Sequence, residues 1–384
     1  MEGPDLSPRP RGVCRGAALT LVFATVLATA AVTGGLPQDE ERPEGAPAVR
    51  SAAASLDRED VARAAADAMA DGKSGAAAAE QFVSRSGDRW SAVYDSEEYE
   101  EFAEALDGEY TGVGLSARRT RDGGVEVSRV SPGGPADRAG VRAGDRLRSV
   151  GGQDVARRPV TEVVGLLRGD EGSRVAVGLE RDGREWTAGL TRTRLATQSV
   201  TVRHLDGAVV IKVDSFTKGT GARVRDAVRG APRGAGVLLD LRGNAGGLVS
   251  EAVTAASAFL DGGLVATYDV RGDQQALYAE AGGDTARPLV ALVDGGTMSA
   301  AELLTGALKD RGRAVTVGSR TFGKGSVQMP STLPDGSVAE LTVGHYRTPA
   351  GHSVDGRGIT PDLVAAESAE KQARTVLGGL RGAP

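Results

Sequence analysis

The 384-residue chain carries a single cysteine, Cys14, so no disulfide can form within one copy. Aromatic residues make up only 4% of it, and its cores must therefore be built from aliphatic side chains. An excess of positive charge is also missing: the formal net charge is −5, which argues against a nucleic-acid partner. What the chain does have is 55 glycines and 40% hydrophobic residues, enough for two or three globular domains.

The stretch from Pro288 to Gln328 holds a complete set of catalytic parts. Pro288 to Val293 is an apolar run closed by Asp294-Gly295-Gly296, the pattern of a buried strand ending in a tight turn. Leu303, Leu304, Ala307 and Leu308 then recur at helical spacing, and Gly312 ends the pattern, so Ser299 falls at a helix N-terminus. Ala314 to Val317 reads as a second strand, followed by a loop in which Gly323 and Gly325 flank Lys324. A right-handed crossover would return that loop to the carboxyl end of the first strand.

A serine hydroxyl becomes a nucleophile only when a neighbouring base takes its proton, and free helix N-terminal N–H groups suit the negative charge that develops. A free lysine of pKa ~10.4 is almost wholly protonated near pH 7, so Lys324 can be that base only if desolvated. Taken alone, a serine before a helix is more often just a cap.

Near the start, Arg9, Arg11 and Arg15 precede an apolar run from Ala17 to Val32, and acidic residues follow it. This reads as an export signal, cleaved after Ala28-Thr29-Ala30 or kept as a membrane anchor; either way the body is extracytoplasmic. The expected division is residues 1–36 for this segment, 37–50 a linker, 51–108 a helical segment with Ser96 as one cap, 109–193 a small β-rich domain, 194–364 the catalytic core and 365–384 a helical tail.

From Thr111 to about Leu190, short alternating runs are separated by glycine turns, with helices at Pro135 to Ala139 and Thr161 to Leu167. This order, with Gly112-Val-Gly-Leu115, Ser131-Pro-Gly-Gly-Pro-Ala136 and Ala139-Gly-Val-Arg-Ala-Gly-Asp145, resembles a PDZ domain. The resemblance implies that the backbone of Gly112, Val113, Gly114 and Leu115 receives a peptide's C-terminal carboxylate while the peptide adds as a strand. Arg168 could face either solvent or that peptide. Further on, the buried run Gly236 to Arg242 enters Gly243-Asn-Ala-Gly-Gly247, a glycine turn able to expose backbone N–H groups to an oxyanion. Ala245 stands where a trypsin-like serine loop would carry its nucleophile, which rejects that reading.

Together, Gly296-Thr-Met-Ser299-Ala-Ala-Glu302, Thr321-Phe-Gly-Lys324-Gly-Ser-Val-Gln328, the Asp-Leu-Arg-x-Asn-x-Gly-Gly motif at 240–247 and Gly356-Arg-Gly-Ile-Thr-Pro-Asp362 resemble the C-terminal processing (tail-specific) serine peptidases. The resemblance runs from about Trp90 to Asp362. It implies a multidomain α/β protein, with a crotonase-like core and a PDZ domain inserted behind an N-terminal helical segment. The implied activity is that of a serine-type endopeptidase in which Ser299, Lys324 and Gln328 are catalytic, and in which Gly246 or Gly247 joins Ala300 in the oxyanion hole. Substrates would be proteins or peptides held by their C-termini; no cofactor, metal or nucleic acid is called for, a membrane is met through the N-terminal segment if uncleaved, and a homodimer is allowed. Thr297-Met298 and Ala301 depart from the usual pattern and bear on substrate preference. Two further readings fit the same residues: an inactive PDZ-bearing scaffold that binds tails without cutting, and a Ser299-histidine-Asp355 triad using His345 or His352, positions the family does not use.

Overall fold

The computed structural model describes residues 57–382 apart from 121, 271, 272 and 366. The export segment and linker expected over residues 1–50 lie outside the described residues. Among the described residues no helix is long and apolar enough to cross a membrane. The chain falls into two compact units: Glu109–Thr197 forms one, and the stretch up to Gly108 joins the chain from Gln198 onward in the other.

Ahead of the first unit come α1 (Arg58–Ala70), α2 (Gly75–Arg85), β1 (Ala92–Tyr94) and α3 (Ser96–Leu106). The cap of α3 is Asp95 and not Ser96. Asp95 Oδ1 accepts from Glu98 N at 2.9 Å while Glu98 Oε2 accepts from Asp95 N at 3.1 Å, a reciprocal capping box that a serine one residue later cannot make.

The unit Glu109–Thr197 contains β2 (Glu109–Gly112), β3 (Leu115–Arg119), β4 (Val125–Val130), α4 (Pro135–Arg138), β5 (Arg146–Val150), β6 (Gln153–Asp154), α5 (Val160–Leu167), β7 (Arg174–Arg181), β8 (Arg184–Thr191) and β9 (Thr193–Ala196). Its main sheet runs β3-β4-β5-β7-β8, with β6 beside β5, and β2 pairs separately with β9. The core is aliphatic, as composition demands: Val127, Leu147, Val163, Val177 and Leu179 are all buried. β3 lies at the sheet edge with α5 packed along it.

The second unit continues with β10 (Val200–Leu205), β11 (Ala208–Val213), α6 (Thr220–Arg229), β12 (Gly236–Asp240), α7 (Val249–Ala256), β13 (Leu264–Val270), β14 (Asp273–Tyr278), β15 (Leu289–Val293), α8 (Ala300–Asp310), β16 (Val315–Gly318), β17 (Ser326–Thr332), β18 (Val338–Arg347), β19 (Leu363–Val364) and α9 (Ala369–Gly382). Its larger sheet has the order β10-β11-β12-β15-β16-β19. All neighbours are parallel except β10 on β11. Every residue of β12 and β15 is buried, because both faces of such a sheet are covered. Side chains alternate between two cores: Val237, Leu239, Leu289 and Ala291 face α6, α7 and α8, whereas Leu238, Val290 and Leu292 face α9.

A second, antiparallel sheet is built on β18, which pairs with β17 along one edge and with β1 and β13 along the other, while β14 pairs with β13. Val61, Ala65, Ala79 and Val83 of α1 and α2 pack on Leu333, Ala339 and Leu341 of the β17–β18 hairpin. The pairings of β18 with β1 and with β13 join segments far apart in the chain and leave no local pattern.

The α9 core is small, so its central residue carries much of the docking. Leu238→Ala, at a fully buried position, should lower unfolding free energy by about 2–5 kcal/mol, read as a fall in the denaturant midpoint with an unchanged slope.

Candidate active site

β12, β15 and β16 are parallel neighbours, so the loops at their carboxyl ends emerge together. These loops carry the glycine turn, Ser299 and Lys324, respectively. Ser299 sits at the N-cap of α8 with φ 54° and ψ −119°, a backbone conformation that costs about 1–3 kcal/mol and persists only where the surroundings dictate it. Those surroundings are explicit. Ser299 N donates to Glu302 Oε2 at 3.0 Å, and its carbonyl accepts from Glu302 N at 2.8 Å, Leu303 N at 3.0 Å and the Tyr346 hydroxyl at 3.1 Å.

Glu302 is fully buried. Besides Ser299 N, its Oε2 accepts from Lys324 N at 2.9 Å, and its Oε1 accepts from Gly323 N at 2.7 Å and Thr321 Oγ1 at 2.5 Å. One carboxylate oxygen therefore holds the backbones of both the serine and the lysine. Burial pushes the Glu302 carboxyl above its ordinary value, against the pull of the four donors.

The glycines around Lys324 are there for close approach: a Cβ on Gly323 would stand 2.8 Å from Gly358 N, and one on Gly325 would stand 2.6 Å from Asp355 N. Gly325 N donates to Asp355 Oδ1 at 3.1 Å, and its carbonyl accepts from Tyr346 N at 2.8 Å. The Lys324 ammonium rests over the face of Trp90, 4.7 Å from the ring centroid. Burial lowers its pKa, opposed by the charges of Glu340 and Asp88.

In the glycine turn, Gly246 lies against the serine so closely that a Cβ there would be 2.9 Å from Ser299 Cβ and 3.2 Å from Ala300 N. Its own N–H, however, donates to Asn244 Oδ1 at 2.8 Å, and the buried Asn244 is tied by Nδ2 to Val213 O at 3.0 Å. The N–H groups of Gly247 and Ala300 donate to no acceptor among the described residues. Gln328, on β17, donates through Nε2 to Ser326 Oγ at 2.8 Å and to Thr342 Oγ1 on β18 at 3.2 Å.

The two candidate triad histidines each have a carboxylate neighbour. His352 is 4.0 Å from Asp310, at the opposite end of α8 from Ser299, and His345 is 3.7 Å from Asp355, whose other oxygen braces the lysine loop. In the smaller unit, Val113 O accepts from Ala136 N and Gly114 O from Ser131 N, which turns the following N–H groups of Gly114 and Leu115 the other way across each trans peptide. Arg168, at the end of α5, lies over the Tyr110 ring at 5.8 Å.

The Peptidase family S41 profile matches residues 207–365, and a PDZ domain profile matches residues 126–181. The solved photosystem II D1 C-terminal processing protease is 31% identical, with a TM-score of 0.51, over 79% of this chain and 86% of that one. The chain belongs to peptidase family S41. It is also 33% identical over 295 residues to the "Probable CtpA-like serine protease" of Staphylococcus aureus strain N315, covering 75% of this chain and 59% of that protein. The Staphylococcus haemolyticus protein of the same name is 31% identical over 311 residues, covering 77% and 60%. The chain thus spans about three fifths of the length of these curated relatives.

Within this S41 chain, the matched region contains Ser299, Lys324, Gln328, the glycine turn and Glu302, whereas Trp90 precedes it and the Gly112-to-Leu115 loop precedes the matched PDZ stretch. Sequence reasoning gave no role to Glu302, Tyr346, Asn244 or Trp90. Glu302 alone left a local signal: an acidic residue three places after an N-cap serine is half of a capping box.

Replacing Glu302 by glutamine would turn an NH₂ group towards at least one N–H donor, whichever way the amide lies: Ser299 N and Lys324 N on one side, Gly323 N on the other. Glu302→Gln should slow labelling of Ser299 by a fluorophosphonate about a hundredfold or more, since displacement of reacting groups by an ångström is that expensive. Labelling at the parent rate would show that the carboxylate does not position the pair.

Proposed function

We propose that the protein is an exported serine endopeptidase that takes proteins by their C-termini through its PDZ domain and cuts them with a serine-lysine pair in a crotonase-like core. The observation that carries this is the single buried carboxylate holding the backbones of Ser299 and Lys324. In this reading Ser299 Oγ attacks the scissile carbonyl while neutral Lys324 takes its proton and then passes it to the leaving amine; water, deprotonated by the same lysine, releases the acyl group. The N–H groups of Gly247 and Ala300 receive the oxyanion. Gln328 holds the hairpin next to Lys324, and Gly246 provides the close approach. Family membership and the lowered pKa of the buried lysine support the assignment. The apolar run near the start supports export, with cleavage or anchoring at the membrane as the two outcomes.

Tail recognition falls to the Gly112-to-Leu115 loop and the open edge of β3, where an extended peptide adds as a strand beside α5. One observation favours an inactive scaffold: the lysine ammonium lies on Trp90, and no hydrogen bond joins it to another group among the described residues.

Two measurements test the proposal. Lys324→Arg keeps a charge that cannot be shed, so cleavage of an unstructured protein with an apolar C-terminus should fall by about 10²–10⁴ while thermal unfolding stays put; activity near the parent's would remove Lys324 as the base. Amidating the substrate's C-terminus should raise KM several-fold, and equal constants for acid and amide would dismiss tail selection by the PDZ loop.

A further inference from the structure

Trp90 lies outside the S41-matched region, in the helical segment expected over residues 51–108. It is nonetheless fixed against the site. Asp88 Oδ1 accepts from Trp90 N at 2.9 Å and its Oδ2 from Ser91 Oγ at 2.6 Å, while Ser91 Oγ accepts from Thr342 N of β18 at 2.9 Å. β1 then pairs with β18, Ala92 opposite Glu340. The indole meets Phe322, two residues before Lys324, edge-on at 5.8 Å, and its face receives the Lys324 ammonium at 4.7 Å.

We infer that Trp90 is a positioning residue for the base, an indole cover that seats Lys324 and keeps water from it. This rests on the reading of Lys324 as the base. Two opposed effects operate on the lysine. The ring face favours the ammonium, by about half to one and a half pKa units, whereas exclusion of water disfavours it by up to ~3–5 units on full burial. Exclusion wins, and the direction found for Lys324 agrees. The charged or titratable neighbours are Glu340 on β18 and Asp88 in the loop before β1, which favour the ammonium; Arg89, which shares the indole at 4.6 Å and opposes a second cation; Glu302 of α8, under the lysine backbone; and Asp355 with His345 behind Gly325.

The test is the pH profile. In Trp90→Ala the acid limb of kcat/KM, and of Ser299 labelling by a fluorophosphonate, should move up by about one unit or more, so that the rate at pH 7 falls about tenfold and recovers in alkali. Trp90→Phe, which keeps an aromatic cover, should stay within about half a unit. A limb that does not move while the rate drops at every pH, or one that moves down, overturns the inference. A second measurement does not need that variant to fold. Only two tryptophans are present, so in Trp186→Phe the emission of Trp90 should titrate with the midpoint of the acid limb, and the titration should vanish when Lys324→Ala is added; a flat emission in Trp186→Phe overturns the inference as well. Turnover surviving in Lys324→Ala would instead overturn the assignment of the base, leaving the two failures distinct.

Discussion

A carboxylate taken out of water is tolerated only when its lone pairs are filled, and Glu302 is the case on which this site depends. An uncompensated buried charge costs several kcal/mol, whereas each hydrogen bond to a charged group returns about 1.5–3 kcal/mol. Four donors surround Glu302, three of them backbone N–H groups of Ser299, Gly323 and Lys324. Because the chain cannot release one of them without orphaning part of the carboxylate, the lysine loop is locked to the start of α8. The spacing of Ser299 from Lys324 is thus a consequence of electrostatic satisfaction at Glu302.

The sheet supplies the other half of the constraint. Three parallel neighbours deliver the glycine turn, Ser299 and the lysine loop to one end, and both faces of those strands are packed, by α6 to α8 on one side and α9 on the other. A strained serine costs about 1–3 kcal/mol, small beside burial of this many aliphatic side chains at roughly 1.5–3 kcal/mol each. The same rigidity lets Tyr346 act twice, its amide on Gly325 O and its hydroxyl on Ser299 O, so that β18 fastens both the lysine loop and the start of α8 from a different sheet.

What was legible in the sequence was whatever a short window contains. β15, α8 and β16 read correctly because buried runs, helical spacing and a terminal glycine are local signals, and Ser299 at the helix start followed from them. The helix expected over Leu248 to Leu260 came out shorter, as Val249–Ala256. The β17–β18 hairpin turns at Pro334-Asp335-Gly336, a local signal left unused, whereas the pairing of β18 with β1, which precedes it by more than two hundred residues, leaves no trace in a short window. Ser96 and Asp95 are equally good caps by type, and only the reciprocal bond of Glu98 separates them. Trp90 against Lys324 is invisible for the same reason as β1: the contact is made by a fold that brings distant segments together.

The choice between Gly246 and Gly247 is instructive in this respect, since composition and spacing leave them equivalent. Asn244 makes them different by taking the N–H of Gly246, and Glu302 takes the N–H of Ser299 in the same manner. On each side of the site one amide is consumed inward and the next, that of Gly247 or Ala300, donates to nothing among the described residues. The peptide planes that carry the Gly247 and Ala300 N–H groups are held through their carbonyls instead: Gly246 O accepts from Phe216 N at 2.8 Å, and Ser299 O accepts from the Tyr346 hydroxyl at 3.1 Å. Each of these peptides is thus anchored at its oxygen while its N–H is left without a partner among the described residues, which is the condition for such an amide to remain available to an incoming oxygen.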